Sequence, residues 1–377
     1  MASLAADPSL IGQPGSRELI PTPAAILDLD AFERNLARMA ARAKSAGLAL
    51  RPHSKSHKCA ALARRQIEAG AAGICCAKLA EAEAMAAAGI PSILVTSPIA
   101  GLAQARRAAR LAAQIPDFRI VVDDKYGAAE LGAVAETPIQ VLIDVDPKLG
   151  RTGVASPEQA VLVARAIASQ PKLKALGVQC YGGQWQHIHG ANERAAAIAD
   201  GMAYLSTVLA ALKAEGYPTG LVTGGGTGSF AADAAQGVLT EVQPGSYAFM
   251  DRDYREALSG DPDGAFEQAL AIASTVISAN QPEWVTVDAG LKAFATDGPL
   301  PEPLTPKFAG CGFRFYGDEH GRLMRPDKAK GEAVRGERVD FVPPHVDPTL
   351  DRYDVIHLVR GDVLVEIAPV EARGASQ

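Results

Sequence analysis

Apolar runs of four to eight residues alternate along the first two thirds of the chain with alanine-rich segments of helical period. The runs fall at 48–55, 73–78, 93–98, 119–124, 139–146, 175–182, 220–226 and 241–248. Between them lie segments such as 59–69, 79–88, 102–114, 157–169 and 192–216, whose apolar positions recur at helical spacing. Continuous apolar strands need cover on both faces, and a helix between successive strands supplies it, so the pattern predicts a parallel sheet. Eight such units over about 200 residues match a (β/α)8 TIM barrel. A doubly wound open sheet shares the same period and is the alternative.

Two regions break the beat. Residues 24–30 form a further strand-like run ahead of the helix-like 31–46. After Asp253 helical periods give way to strand-like pieces at 270–278, 284–289, 312–316, 338–342 and 354–359, with Pro and Gly between them. These predict a β-rich C-terminal domain that the early strand joins. The expected division is a barrel over 31–253 and a β domain made of 1–30 and 254–377.

Composition narrows the function classes. A chain of 377 residues exceeds one ordinary core, which suits a barrel with an added domain. Hydrophobic content of 48% and charge of 21% are those of a soluble globular protein. A net charge of -6 argues against nucleic acid and membrane surfaces as partners. The start, Met1-Ala2-Ser3-Leu4-Ala5-Ala6-Asp7, lacks a basic stretch followed by a long apolar core, so no signal peptide is expected. No uncharged apolar run reaches about 18 residues, so no transmembrane helix is expected either. Five cysteines without spaced pairs fit a reducing cytoplasm. The adjacent Cys75 and Cys76 read as buried, inert thiols.

In a barrel, chemistry gathers at the C-terminal ends of the strands. Lys55 ends the first run, inside Arg51-Pro52-His53-Ser54-Lys55-Ser56-His57-Lys58. A lysine there is placed to form a Schiff base; only its neutral amine attacks a carbonyl, and cationic neighbours with partial desolvation lower its pKa. Arg51, His53, His57 and Lys58 are the expected source of that positive surrounding. Arg151 follows the fifth run, Tyr181 and His187 the sixth. The turn Thr223-Gly224-Gly225-Gly226-Thr227-Gly228-Ser229 follows the seventh, and Gly245-Ser246-Tyr247 lies at the eighth. Glycines let backbone amides approach an anion, and phosphate sites recur after the seventh and eighth strands of this fold. A phosphate cradle and a Schiff-base lysine on one rim together point to pyridoxal 5′-phosphate.

Taken in order, these segments resemble the fold-type III pyridoxal-phosphate enzymes, the group of alanine racemase. Within it, the chain is similar to the D-threonine aldolase and D-serine dehydratase branch. The match rests on 51–58, Asp146…Arg151-Thr152-Gly153, Tyr181…Gln186-His187, 223–229, 243–247, 288–292, Asp318-Glu319-His320-Gly321 and His345-Val346-Asp347, and so spans nearly the whole chain. The resemblance implies that Lys55 rather than Lys58 carries the cofactor, that Arg151 lies near its phenolic oxygen and that Tyr181 lies beside it. It also implies a homodimer. Relatives often show Tyr-His-Gly where Tyr181-Gly182-Gly183 stands, and Gln where Ala77 stands, which bears on substrate preference rather than reaction class.

His345 and Asp347 sit in a Pro-bounded loop, 343–348. Residues i and i+2 of an extended segment point the same way and can share one ion. The resemblance implies a divalent metal there, beside the cofactor. Dehydratase relatives typically place Cys where Asp347 stands, which suits zinc; His with a carboxylate suits manganese, or magnesium or cobalt. The expected activity is therefore a metal-assisted aldolase. It would act on D-threonine and related D-β-hydroxy-α-amino acids, with His187 removing the β-hydroxyl proton, and release glycine and an aldehyde. The alternatives are a D-serine or D-3-hydroxyaspartate dehydratase of the same branch and a non-catalytic pyridoxal-phosphate-binding regulatory protein. His53 and His57 are expected to orient the lysine loop, Asp318 and His320 to be further metal-site groups, and His357 to be structural.

Overall fold

The computed structural model describes residues 7–261, 264, 266–324 and 334–377. A short helix, α1 (Ser16–Leu19), and strand β1 (Ala24–Asp28) lead into α2 (Leu29–Ser45). Helix α2 starts two residues earlier than the sequence pattern suggests, because the Asp28 side chain caps it by accepting the Ala31 N–H at 3.0 Å. Leu29, Phe32, Leu36, Met39 and Ala43 form its buried face, and Arg42 and Lys44 complement the dipole in its last turn.

Eight βα units follow. They comprise β2 (Ala49–Leu50), α3 (Ala60–Glu68), β3 (Ile74–Cys76), α4 (Leu79–Ala87), β4 (Ser92–Val95), α5 (Leu102–Gln114), β5 (Asp117–Val122) and α6 (Lys125–Val134). Then come β6 (Ile139–Val145), α7 (Pro157–Ala168), β7 (Leu173–Cys180), α8 (Ala191–Ala214), β8 (Leu221–Gly224), α9 (Phe230–Gln236), β9 (Glu241–Val242) and α10 (Arg252–Ala257). The strands pair in parallel in the order β2-β9-β8-β7-β6-β5-β4-β3, and a bridge from His53 to Cys75 joins the extension of β2 to β3. The ring is thus a barrel, not an open sheet. Cys75, Leu94, Val121 and Leu142 form a buried cluster of their own. The alternate residues Ile74, Ile93, Ile120, Val141 and Ile143 join the main core. This alternation on strands covered on both sides explains why each reads as unbroken apolar sequence.

By length and composition α8 is apolar enough to cross a membrane. In the fold it packs between α7 and α9, burying Ile198, Met202, Leu205, Val208 and Leu212.

The β domain holds β10 (Leu270–Ser278), β11 (Trp284–Val287), β12 (Glu302–Pro303), β13 (Gly312–Phe315), β14 (Gly321–Met324), β15 (Arg338–Val342), α11 (Val346–Leu350), β16 (Val355–Arg360) and β17 (Val363–Pro369). Strand β1 lies at its centre, antiparallel to β10 and parallel to β16. Phe294, Phe313 and Phe341 pack edge to face in its core, with centroids 5.4–5.7 Å apart. The domain also grips the barrel: Ala372 N–H donates to Lys58 O at 3.1 Å, and the Glu371 carboxylate accepts the Ala60 N–H at 2.8 Å, capping α3.

Candidate functional site

Beyond β2 the chain runs extended to His53 and then makes a single 3-10 turn, Ser54–Ser56, which presents Lys55 at the barrel rim. The turn is held from below. Glu81 is buried on α4, accepts the Ser54 hydroxyl at 2.6 Å and accepts the Ala77 N–H at 2.8 Å. His53 Nε2 meets the Thr96 hydroxyl at 3.1 Å, and His57 accepts the Cys59 N–H on Nδ1 at 3.0 Å. Both histidines therefore shape the loop.

The electrostatics of Lys55 differ from the sequence expectation. Its ammonium forms an ion pair with Asp347. Burial works to lower its pKa, but the Asp347 carboxylate, with Tyr181 and Glu81, outweighs burial and raises it above the ordinary lysine value. The four flanking groups do not supply positive charge. Burial pushes His53 well below the imidazole range and His57 down to about 4, so both are neutral. Arg51 turns to the other end of the barrel, where its Nε lies 3.0 Å from Glu241. Lys58 Nζ donates to Asp351 at 2.7 Å, toward the β domain.

The glycine turn after β8 is built by close approach. Gly225 has φ +65, and a Cβ there would lie 2.4 Å from Asp233 Oδ2; a Cβ on Gly228 would lie 2.4 Å from Gln186 O. Gln186 Oε1 accepts the Gly228 N–H at 2.9 Å, while its Nε2 donates to Ser229 Oγ at 2.9 Å. Ser229 Oγ in turn donates to Asp233 at 2.6 Å, and burial pushes the Asp233 carboxyl up to about 7. Thr227 Oγ1 accepts the Tyr247 N–H at 3.0 Å, tying the turn to 245–247. Gly224 packs on Cys180 O, and Gly226 packs on the Gln186 amide. Thr223 faces inward, accepting from Gln243 at 3.0 Å, and the Tyr247 side chain is core. Ser246 is buried in the 3-10 turn beside it. Arg151 places its guanidinium 5.5 Å from the Tyr181 ring centroid.

His345 and Asp347 meet, though not by strand alternation. His345 is extended, whereas Asp347 sits in the first turn of α11. His345 Nε2 is 3.8 Å from Asp347 Oδ1, and His345 Nδ1 is 2.9 Å from Asp297 Oδ2. Asp347 Oδ1 is buried and has no hydrogen-bond partner. Burial opposes charge on both groups. The carboxylates around His345 nevertheless raise its pKa, and Lys55 with His345 lowers that of Asp347. Among the described residues no cluster of three or more His, Cys, Asp or Glu side chains is set to hold a metal. Asp318 lines a separate cavity of about 230 Å³ with Asp288, Lys292 and Arg352; neither His345 nor Asp347 lines it. His320 lies in the β13–β14 connection, where its carbonyl accepts the Tyr316 N–H. His357 is buried in β16, with Nδ1 3.4 Å from Ala25 O. Cys75 and Cys76 are buried, and burial pushes both thiols well up.

His187, after β7, has Nδ1 3.1 Å from Asp253 Oδ2 and stacks against Tyr254. Three acidic residues around the site were missed in the sequence: Asp251, Asp253 and Asp297. The first two directly follow the eighth strand, and the rim rule applied one step further along would have found them. Asp297 arrives through tertiary structure alone.

Comparison with known proteins gives concordant matches. The family profile "alanine racemase, N-terminal domain" matches residues 27–253, and a serine dehydratase domain profile matches 269–359. A 3-hydroxy-D-aspartate aldolase of Paracoccus denitrificans (strain Pd 1222) is 37% identical over 97% of this chain and 95% of its own length. A D-threonine aldolase of Arthrobacter sp is 37% identical over 98% and 97%. The crystal structure of D-threonine aldolase from Filomicrobium marinum superposes with a TM-score of 0.93 at 38% identity, covering 99% of this chain and 100% of that one.

Proposed function

This chain belongs to the alanine racemase family of fold-type III pyridoxal-phosphate enzymes, in its D-β-hydroxy amino acid aldolase branch, and on that footing we propose that it cleaves the Cα–Cβ bond of D-threonine and related D-β-hydroxy-α-amino acids to glycine and an aldehyde. One observation carries the reading. The Asp347 carboxylate reaches Lys55 with one oxygen and turns the other, buried and unpartnered, toward His345.

The residues present fit both expected groups. Lys55 would carry the pyridoxal phosphate. Residues 223–227 and 245–247 would hold its phosphate end, in a turn whose glycines pack against Cys180, Asp233 and Gln186 more closely than a Cβ would allow, and Arg151 and Tyr181 would flank its ring. When bound, the cofactor supplies an electron sink for the charge developing at Cα. His345 and Asp347 would hold a divalent cation, manganese first and magnesium or cobalt as alternatives, because one imidazole and one carboxylate suit a hard ion. Such a cation would supply positive charge toward a substrate oxygen.

The chain's own groups do the rest. Asp297 receives the Nδ1 side of His345, so Nε2 faces Asp347. Asp347 holds the Lys55 ammonium at the rim, and Lys55 must lose a proton before its amine attacks a carbonyl. His187 takes the proton of the β-hydroxyl as the Cα–Cβ bond breaks. Gln186, its chain neighbour, hydrogen-bonds the glycine turn and so joins the base loop to the cradle. We carry the homodimer into this proposal on the family resemblance; light scattering on the holoenzyme tests it.

The experiment is product analysis with D-threonine and added manganese. Glycine and acetaldehyde are expected. Formation of 2-oxobutanoate and ammonia would move the protein to the dehydratases, and cofactor binding without turnover of any D-β-hydroxy amino acid would make it a binding protein.

A further inference from the structure

The segment that joins the barrel to the β domain touches both halves of the site. Asp251 caps α10: its carboxylate accepts the Tyr254 N–H at 2.9 Å and the Val346 N–H at 2.8 Å, and Val346 stands between His345 and Asp347. Arg252 N–H donates to Pro343 O at 3.0 Å and Asp253 N–H to Pro344 O at 3.2 Å. The first turn of α10 is thereby laced along the loop that carries His345. From that same turn, the Asp253 carboxylate lies 3.1 Å from His187 Nδ1, and the Tyr254 ring packs on the imidazole with centroids 4.9 Å apart. Two side chains of a single turn, Asp253 and Tyr254, therefore bear on His187.

We infer that Asp253 is a positioning residue for the proton transfer: its carboxylate selects the Nδ1–H tautomer of His187 and leaves Nε2 as the nitrogen that receives the β-hydroxyl proton. The inference rests on the reading of His187 as the base. A carboxylate has only acceptor sites, so the ring nitrogen facing it must carry the hydrogen, and the other nitrogen then keeps its lone pair. The proton passes from the substrate oxygen to His187 Nε2. Asp253 stays ionised throughout and faces the imidazolium that forms, the role a buried carboxylate takes behind a catalytic histidine elsewhere. Three imidazoles bear on Asp253: His187, His345 and His189. His187 is the largest influence holding its carboxyl below the ordinary range. The same turn that orients the base is also tied to the loop of His345 and Asp347, by the Asp251 carboxylate and by two backbone hydrogen bonds.

The test uses the holoenzyme with D-threonine and manganese. Asp253→Ala should lower kcat by roughly 10–10²-fold, a part of the roughly 10²–10⁴-fold that a positioned base contributes, with KM for D-threonine nearly unchanged. Asp253→Glu should recover more of that loss than Asp253→Asn, whose amide can also donate to Nδ1 and favour the wrong tautomer. Nitrogen-15 NMR of histidine-labelled, substrate-free holoenzyme should show His187 with hydrogen on Nδ1 in the parent and a mixed tautomer in Asp253→Ala. In a His187→Ala background, Asp253→Ala should cost nothing further. An unchanged kcat, an unchanged tautomer, or an equal loss in the His187→Ala background would each overturn the inference. Full turnover in His187→Ala itself would instead sink the base assignment, so the two failures are separable.

Discussion

Two charge clusters occupy opposite ends of the same barrel, and they are built differently. At the N-terminal end, Arg51 Nε lies 3.0 Å from Glu241, and Arg119 Nε lies 2.8 Å from Asp117. Ser92 links the halves, accepting from Arg51 at 2.8 Å and donating to Asp117 at 2.6 Å. Two guanidiniums face two carboxylates. Burial works to raise the Asp117 pKa, yet Arg119 and Ser92 outweigh it and hold it below the usual range. At the C-terminal end Asp251, Asp253, Asp297 and Asp347 gather, and of the side chains they contact Lys55 alone carries a fixed positive charge. There burial pushes the Asp251 carboxyl up to about 6, and Asp347 adds to the rise. A cluster whose charges cancel serves the fold. One with carboxylates to spare and a buried oxygen without a hydrogen-bond partner is where we propose that a cation binds.

Changes at the C-terminal end should dominate turnover, and Lys55→Ala should have the largest effect. The variant should lose the covalent cofactor and fall to background activity, because Lys58, the other lysine of the loop, is held by Asp351. Borohydride reduction and peptide mapping should find the cofactor on Lys55; a label on Lys58 would overturn the assignment.

Next comes the pair His345 and Asp347. Chelation should abolish activity while the cofactor's visible absorption stays nearly intact, since the glycine turn belongs to the barrel and the pair to the β domain. His345→Ala and Asp347→Ala should each behave like chelated parent, with losses beyond the roughly 10–100-fold that groups behind a metal ligand usually cost. Asp347→Cys should shift preference from manganese to zinc, because a thiolate is the softer ligand. Full activity in chelator-treated, metal-free enzyme would sink the comparison between the two ends.

A smaller loss is expected at His187. His187→Ala should keep cofactor absorption and substrate binding but turn over roughly 10²–10⁴-fold more slowly, the usual contribution of a positioned base. An unchanged rate would move the role to His189.

The features legible in sequence are those written in local spacing. Unbroken apolar runs marked the buried strands, Lys55 stood out at a strand end, and the glycines of 224–228 are required by contacts a Cβ would violate. His345 and Asp347 were found for the wrong geometric reason, since Asp347 is helical. Side-chain direction was hidden. Arg51 is four residues from Lys55 yet serves the opposite end of the barrel, and His53 and His57 are neutral because burial outweighs their unperturbed tendency. The short helices Lys125–Val134 and Phe230–Gln236 went unnoticed because neither carries a long apolar stripe. Asp297 was illegible, because 48 residues separate it from His345 and only the packing of the β domain joins them.

The N-terminal cluster sets the lower bound of the series. Arg51 and Glu241 side chains are 1% and 3% exposed, so removing Arg51 leaves the Glu241 carboxylate charged and buried, with Arg119 Nη1 at 3.8 Å as its remaining ion-pair contact. Arg51→Met should destabilise the fold by about 3–5 kcal/mol, read as a lower urea midpoint, for that reason. The double variant Arg51→Met with Glu241→Leu should lose less than Arg51→Met alone, because an apolar pair can replace a buried ion pair at little net cost. Gly73→Ala should reproduce part of the single-variant loss, since its Cβ would lie 2.2 Å from Arg51 Nη1. In all three the folded fraction should keep the parent kcat, because this cluster holds the barrel closed without touching the rim. A kcat that fell with the urea midpoint would show that charge at the two ends is coupled through the barrel, and the division between a neutral structural end and a negative reactive end would fail.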